Sequence, residues 1–260
     1  MSKISSNKKN KRKITNNCHK NILINYSDIE LPAIYSKNKD DLTIIKNFLK
    51  KNKKNLDKNK IDNIMHETVK YLRTTASIDA IKLFISFGAN INFVSSDGYT
   101  AFTEYIFISA LNSNDINIEL DKKIIKSLIE CGYDINKENK GLTSLTLSIR
   151  FSSDHERLEI IKLLISKGSN INYKNCQFET PLMSCFRNNH NKLIRYDIIK
   201  LLLDNKADVY IKNIHNKNIF DVIKNEIGEE SDIYSLIFNY KNIRNEHFYE
   251  FDINFFYHNL

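Results

Sequence analysis

Residues 160–165 read Ile160-Ile161-Lys162-Leu163-Leu164-Ile165, and the phrase comes back along the chain. It stands as Ile44-Ile45-Lys46, Ala80-Ile81-Lys82, Ile124-Ile125-Lys126 and Ile198-Ile199-Lys200, each opening an apolar run. A worn copy follows at Asp232-Ile233-Tyr234. Counted on the middle residue, the steps are 36, 44, 36, 38 and 34 residues. Self-similarity at this period predicts stacked structural units. Within one copy the apolar spacing fits a helix that buries two faces. Three copies meet a glycine at a fixed offset, Gly88, Gly132 and Gly168, as expected where a helix stops at positive φ. Lys206 takes that place in the fifth copy, so strain is expected there. After each stop come ANIN (89–92), YDIN (133–136), SNIN (169–172) and ADVY (207–210), read as short extended links.

A second phrase precedes the last four of these helices: DGYTAFTEY (97–105), KGLTSLTLS (140–148), FETPLMSC (178–185) and NKNIFDVI (216–223). Gly98 and Gly141 mark its turn. Thr180 followed by Pro181 reads as an N-cap hydroxyl and a proline at the first helical position, where a missing N–H costs nothing. Each unit is therefore a turn, a helix, a turn, a second helix and a tip.

On these residues the chain resembles the ankyrin repeat, with its 33-residue period and T-P-L-H-x-A motif. Thr100, Thr143 and Thr180 match the motif threonine, Pro181 the proline, and Phe102, Leu145, Leu182 and Phe220 the leucine. Thr103, Thr146, Met183 and Asp221 stand in place of the motif histidine. The resemblance implies that this histidine ties neighbouring repeats, so looser stacking is expected. The N-I-N tips are similar in style to ankyrin proteins of large amoebal DNA viruses such as mimivirus. The expected fold is an all-α, ankyrin-type helix-turn-helix solenoid with short β-turn or hairpin tips. Its units are expected at about 28–57, 61–94, 97–137, 140–173, 177–211 and 215–240, within 28–240.

Composition sets limits. There is no apolar run of about 18 residues, so no membrane span is expected. The basic start is not followed by an apolar stretch of the secretory kind. Cys18, Cys131, Cys176 and Cys185 show no paired spacing and read as reduced thiols. The net charge of +8 is uneven: residues 1–60 carry +11 and the rest −3. All six glycines but Gly228 fall at helix stops or motif turns, which leaves none to cradle a phosphate. The seven histidines lack ligand spacing. No cofactor, metal or enzymatic activity is expected.

Residues 1–25, with KKNKRK at 8–13, read as a disordered basic tail. The long third step places a surplus in ALNSNDINIELD (110–121), on one rim of the solenoid. The sixth unit is expected to show the polar outer face of a terminal repeat. The aromatic tail 241–260, with Phe248, Tyr249, Phe251, Phe255, Phe256 and Tyr257, reads as packing on that unit or as a docking segment.

The expected function is non-catalytic protein binding on the concave surface of helices and tips, possessed by a monomer. The resemblance implies partner contacts at tip positions Asp97, Lys140, Lys174, Gln177 and His215. On the helices it implies Glu104, Phe107, Leu147, Arg150, Phe151, Ser184, Arg187 and Asn188. Arg150 and Arg187 recur in nearly one register, which suits an acidic partner. A viral protein acting on host proteins in the cytoplasm fits this reading, with nuclear entry through 8–13 as a variant. The alternative is nucleic-acid association through the basic N-terminal third, marked by a steep salt dependence.

Overall fold

A computed structural model of the chain describes residues 39–70, 75–111, 117–152, 155–187, 192–228 and 231–241. The expectations for the basic tail, Asn188, the middle of the 110–121 surplus and the aromatic tail beyond 241 lie outside the described residues. The helices are α1 (Lys39–Asn52), α2 (Lys58–Lys70), α3 (Thr75–Ser86), α4 (Ala101–Leu111), α5 (Ile118–Glu130) and α6 (Ser144–Arg150). They continue as α7 (His155–Ser166), α8 (Pro181–Ser184), α9 (Lys192–Asp204), α10 (Ile219–Glu226) and α11 (232–241). Among the described residues extended pairing is confined to two isolated bridges at the tips, Val94 with Thr100 and Asn139 with Leu142.

The helices stack in two rows. α2, α4, α6, α8 and α10 each contact the next of their row, as do α1, α3, α5, α7 and α9. This is the all-α ankyrin solenoid expected from the repeated phrase. In the second row, burial follows one register: Ile124, Ile125 and Leu128, then Ile160, Ile161 and Leu164, then Ile198, Ile199 and Leu202. Burying each such side chain contributes about 2 kcal/mol. The first row starts on capping hydroxyls. Thr143 and Thr180 accept N–H donors from Thr146 and Met183, and Pro181 sits just inside its helix.

Second-row helices end alike. After α5, the N–H of Gly132 donates to Ile129 at 2.9 Å and that of Tyr133 to Leu128 at 3.2 Å. After α9, Lys206 donates to Leu203 at 2.8 Å and Ala207 to Leu202 at 2.9 Å. This paired closure requires positive φ at its first donor. Lys206 adopts φ 71 where the other copies use glycine, so the expected strain is present. Lys206→Gly is expected to raise stability by about 0.5–1 kcal/mol, read as a higher denaturation midpoint with an unchanged slope. Gly228, the one glycine set outside the helix stops and motif turns from the sequence, is also a helix stop. It has φ 84, and its N–H reaches the Ile223 carbonyl at 3.1 Å behind α10.

The expectation of loose stacking is corrected by two sets of bonds. Where the motif histidine is missing, hydroxyls meet. Thr100 Oγ1 lies 3.1 Å from Thr103 Oγ1 and 3.1 Å from the Tyr133 hydroxyl of the tip that follows. The second set is a ladder through the N-I-N tips. Asn92 Nδ2 donates to the Gly132 carbonyl at 3.0 Å, and its Oδ1 accepts from the Asp134 N–H at 2.8 Å. Asn136 repeats this on the Gly168 carbonyl and the Asn170 N–H, at 3.2 and 2.7 Å. Asn172 does so on Lys206 and Asp208, at 3.5 and 2.8 Å. Each asparagine thus satisfies the backbone just past the next unit's helix stop. Asn136→Ala is expected to cost about 1–2 kcal/mol for two bonds, lowering the melting temperature by about 2–6 °C.

Candidate functional site

The outward face of the first row and the tips beside it form the surface to which the sequence pointed. Between α4 and α6 this surface opens into a concavity of about 330 Å³, lined by Lys70, Tyr99, Glu104, Phe107, Leu147 and Phe151 among others. The α4 sequence carries apolar residues all round, so after Phe102, Tyr105 and Ile106 enter the core one aromatic ring is left facing out. That ring is Phe107, 37% exposed. Phe151, just past α6, meets it edge to face with centroids 4.9 Å apart, a favourable aromatic geometry. Lys70 Nζ pairs with Glu104 at 3.2 Å on the rim, and Lys140 Nζ stands 4.2 Å over the Tyr99 ring. The site is apolar at its floor, aromatic at its wall and charged at its edge.

One unit further on, Glu179 is 5% exposed and ion-paired to both arginines, with Arg187 and with Arg150 at 3.8 Å. Burial, then the like charge of Arg187, pulls Arg150 below the usual guanidinium range. The two arginines expected to meet an acidic partner therefore share one carboxylate inside the chain, which offsets only part of their charge. At the neighbouring tip the Tyr173 hydroxyl donates to Glu138, and burial followed by that carboxylate pushes the phenol up.

Comparison with known proteins decides what this arrangement is. A family described as ankyrin repeats, in three copies, matches residues 116–213, which run from the start of α5 to the tip after α9. Residues 116–213 carry ankyrin repeats. It is similar to an ankyrin repeat protein of Acanthamoeba polyphaga mimivirus, 31% identical over 103 residues, which are 39% of this chain and 60% of that one. A second mimivirus ankyrin repeat protein is 27% identical over 153 residues, 58% of this chain and 23% of that protein. One from fowlpox virus is 27% identical over 101 residues, 38% of this chain and 22% of that protein. The chain therefore spans under two thirds of the length of these relatives.

On the ankyrin frame, the structure distributes the sequence-derived positions unevenly. Glu104, Phe107, Leu147 and Phe151 come together at the concavity. Asp97, Lys140, Lys174, Gln177 and His215 are exposed along the tips. Leu147 is 4% exposed and forms the floor rather than a free contact. Ser184 is buried and is corrected as a partner contact, because α8 is covered by α6 on one side and α10 on the other. Tyr99, Lys70 and Leu142 line the concavity and were missed. Lys70 lies one repeat earlier and Tyr99 just before a motif threonine, and neither carries a signal of its own in the sequence.

Among the described residues no helix is long and apolar enough to cross a membrane, and no group of three or more His, Cys, Asp and Glu is placed to hold a metal. His66 is buried, its Nε2 3.3 Å from the Tyr99 carbonyl and its ring edge-on to Phe93, in a packing role. Burial pushes the Cys185 thiol up to about 12. It is a core side chain, held protonated.

Proposed function

We propose that the chain is a non-catalytic protein-binding module that grips a segment of a partner protein at the concavity between α4 and α6. The observation that carries this reading is the pairing of the exposed Phe107 with Phe151 over an apolar floor, edged by Lys70, Glu104 and Lys140. Aromatic anchors in a pocket with a charged rim are what binding hot spots are made of. Repeat solenoids present such surfaces along a concave face without needing a deep cavity. Cys185 and His66 serve packing, which supports a binding role over chemistry.

The similar ankyrin repeat proteins belong to viruses, which supports a host protein as the partner and the host cytoplasm as the place. The test is a photoreactive benzoylphenylalanine at position 107, beside one at Lys126 on the outer row, irradiated in host-cell lysate. A discrete adduct from 107 and none from 126 is the expected result. Equal adducts from both, or adducts from 126 alone, would count against the site.

A further inference from the structure

The last unit does not show the polar outer face expected of a terminal repeat. Phe220 occupies the motif-leucine position, which is 0–1% exposed at Phe102, Leu145 and Leu182, yet it is only half-buried. Ile233 takes the place of Ile125, Ile161 and Ile199 and is buried like them, while Tyr234, where those copies carry Lys126, Lys162 and Lys200, is half-buried. Beside them Tyr210 is 52% and Phe238 43% exposed. The four rings make one surface: Phe220 meets Tyr234 at 5.7 Å, and Tyr234 stacks on Phe238 at 6.3 Å. Lys241 joins them, its Nζ 5.8 Å from the Tyr210 ring and 5.5 Å from that of Phe220. Phe220 is thus a core position left uncovered, and the other three rings stand where the other copies carry polar residues.

We propose that the chain's own residues 246–260 cover this face, closing the solenoid in the place of a further repeat. The chain leaves α11 at the face itself, since Lys241 already lies on two of its rings. Four residues lie between 241 and 246, and the five steps reach up to about 17 Å. The segment 246–260 carries no copy of the repeat phrase, six aromatic residues, three acids and neither Lys nor Arg. Its chemistry complements the face. The aromatics match the rings, and Glu246, Glu250 and Asp252 match Lys241 and the exposed Lys212 and Lys217. The nearest acid on the face, Asp221, is taken up by the capping box of Asn218. A solenoid end left apolar invites association, so covering it in cis keeps the protein soluble and single.

The test uses the full chain and reads amide hydrogen exchange in α11 at two protein concentrations. Phe255→Asp/Phe256→Asp, which alters only the segment, is expected to speed exchange across 232–241 at least about tenfold. Phe238→Asp, which alters only the face, is expected to do the same, with α7 unchanged in both variants. Exchange independent of concentration completes the expected pattern. Two results overturn the proposal. Exchange in α11 untouched by the segment variant would mean that 246–260 does not cover the face. Protection that grows with concentration, with a doubled mass in solution, would mean that a second copy covers it. Neither outcome bears on the concavity between α4 and α6.

Discussion

Arg157→Ala is expected to destabilise the full chain by about 3 kcal/mol, with a melting temperature lower by about 6 °C or more. Arg157 opens α7, is 6% exposed, and donates to the Ser109 carbonyl near the C-terminus of α4. Ser109 Oγ in turn donates to Asp121 Oδ2 at 2.6 Å, and the Tyr105 hydroxyl to Asp121 Oδ1 at 2.5 Å. These four side chains surround one small internal cavity. A cation at the carboxyl end of a helix also opposes the partial negative charge there. The group therefore ties α4 to α5 and α7. Truncation to alanine orphans a helix-end carbonyl and opens a void. Each of these is costly, and removing one partner of a buried charged network is among the larger effects known for single substitutions. Arg157→Lys is expected to recover less than half of the loss, since an ammonium lacks the planar fork. Urea denaturation of the full chain measures both.

Phe107→Asp/Phe151→Asp is expected to weaken partner binding about 100-fold while costing the fold about 1–2 kcal/mol. The asymmetry follows from exposure. Phe107 is 37% exposed and Phe151 only half-buried, so the fold loses part of two side chains. A partner seated between them loses both aromatic anchors. It also meets two new carboxylates beside Glu104, whose own charge already uses Lys70. A hot-spot loss of about 2.7 kcal/mol corresponds to that 100-fold change. Titration calorimetry with the captured partner gives the affinity, and a parallel melt separates it from unfolding.

Much of the fold was legible because the signals are local. The Ile-Ile-Lys register marks the buried stripe, and Thr180-Pro181 marks a helix start. A fixed offset marks the stops, even where Lys206 replaces glycine. The ladder of Asn92, Asn136 and Asn172 was read only as a link, because the partners of each asparagine lie 32–42 residues away. The repeated asparagine at one offset was the available signal. The Arg150 and Arg187 register was seen, but not Glu179, which is a single residue of one repeat and is buried between them. Ser184 and Leu147 were placed among the partner contacts by the resemblance alone. Their exposure is set by neighbours in the row, since α6 and α8 each lie between two others. The concavity itself draws on three units, and no single stretch of sequence contains it.

The most direct test of a binding site at the Phe107–Phe151 concavity is capture by the tagged full chain from host-cell lysate, quantified by mass spectrometry. Wild type is compared with Phe107→Asp/Phe151→Asp and with Lys126→Glu on the outer row. The account predicts one protein retained by wild type and by Lys126→Glu and lost from the double variant, with all three chains folded. Retention of the same protein by the double variant, or its loss from Lys126→Glu alone, would contradict it.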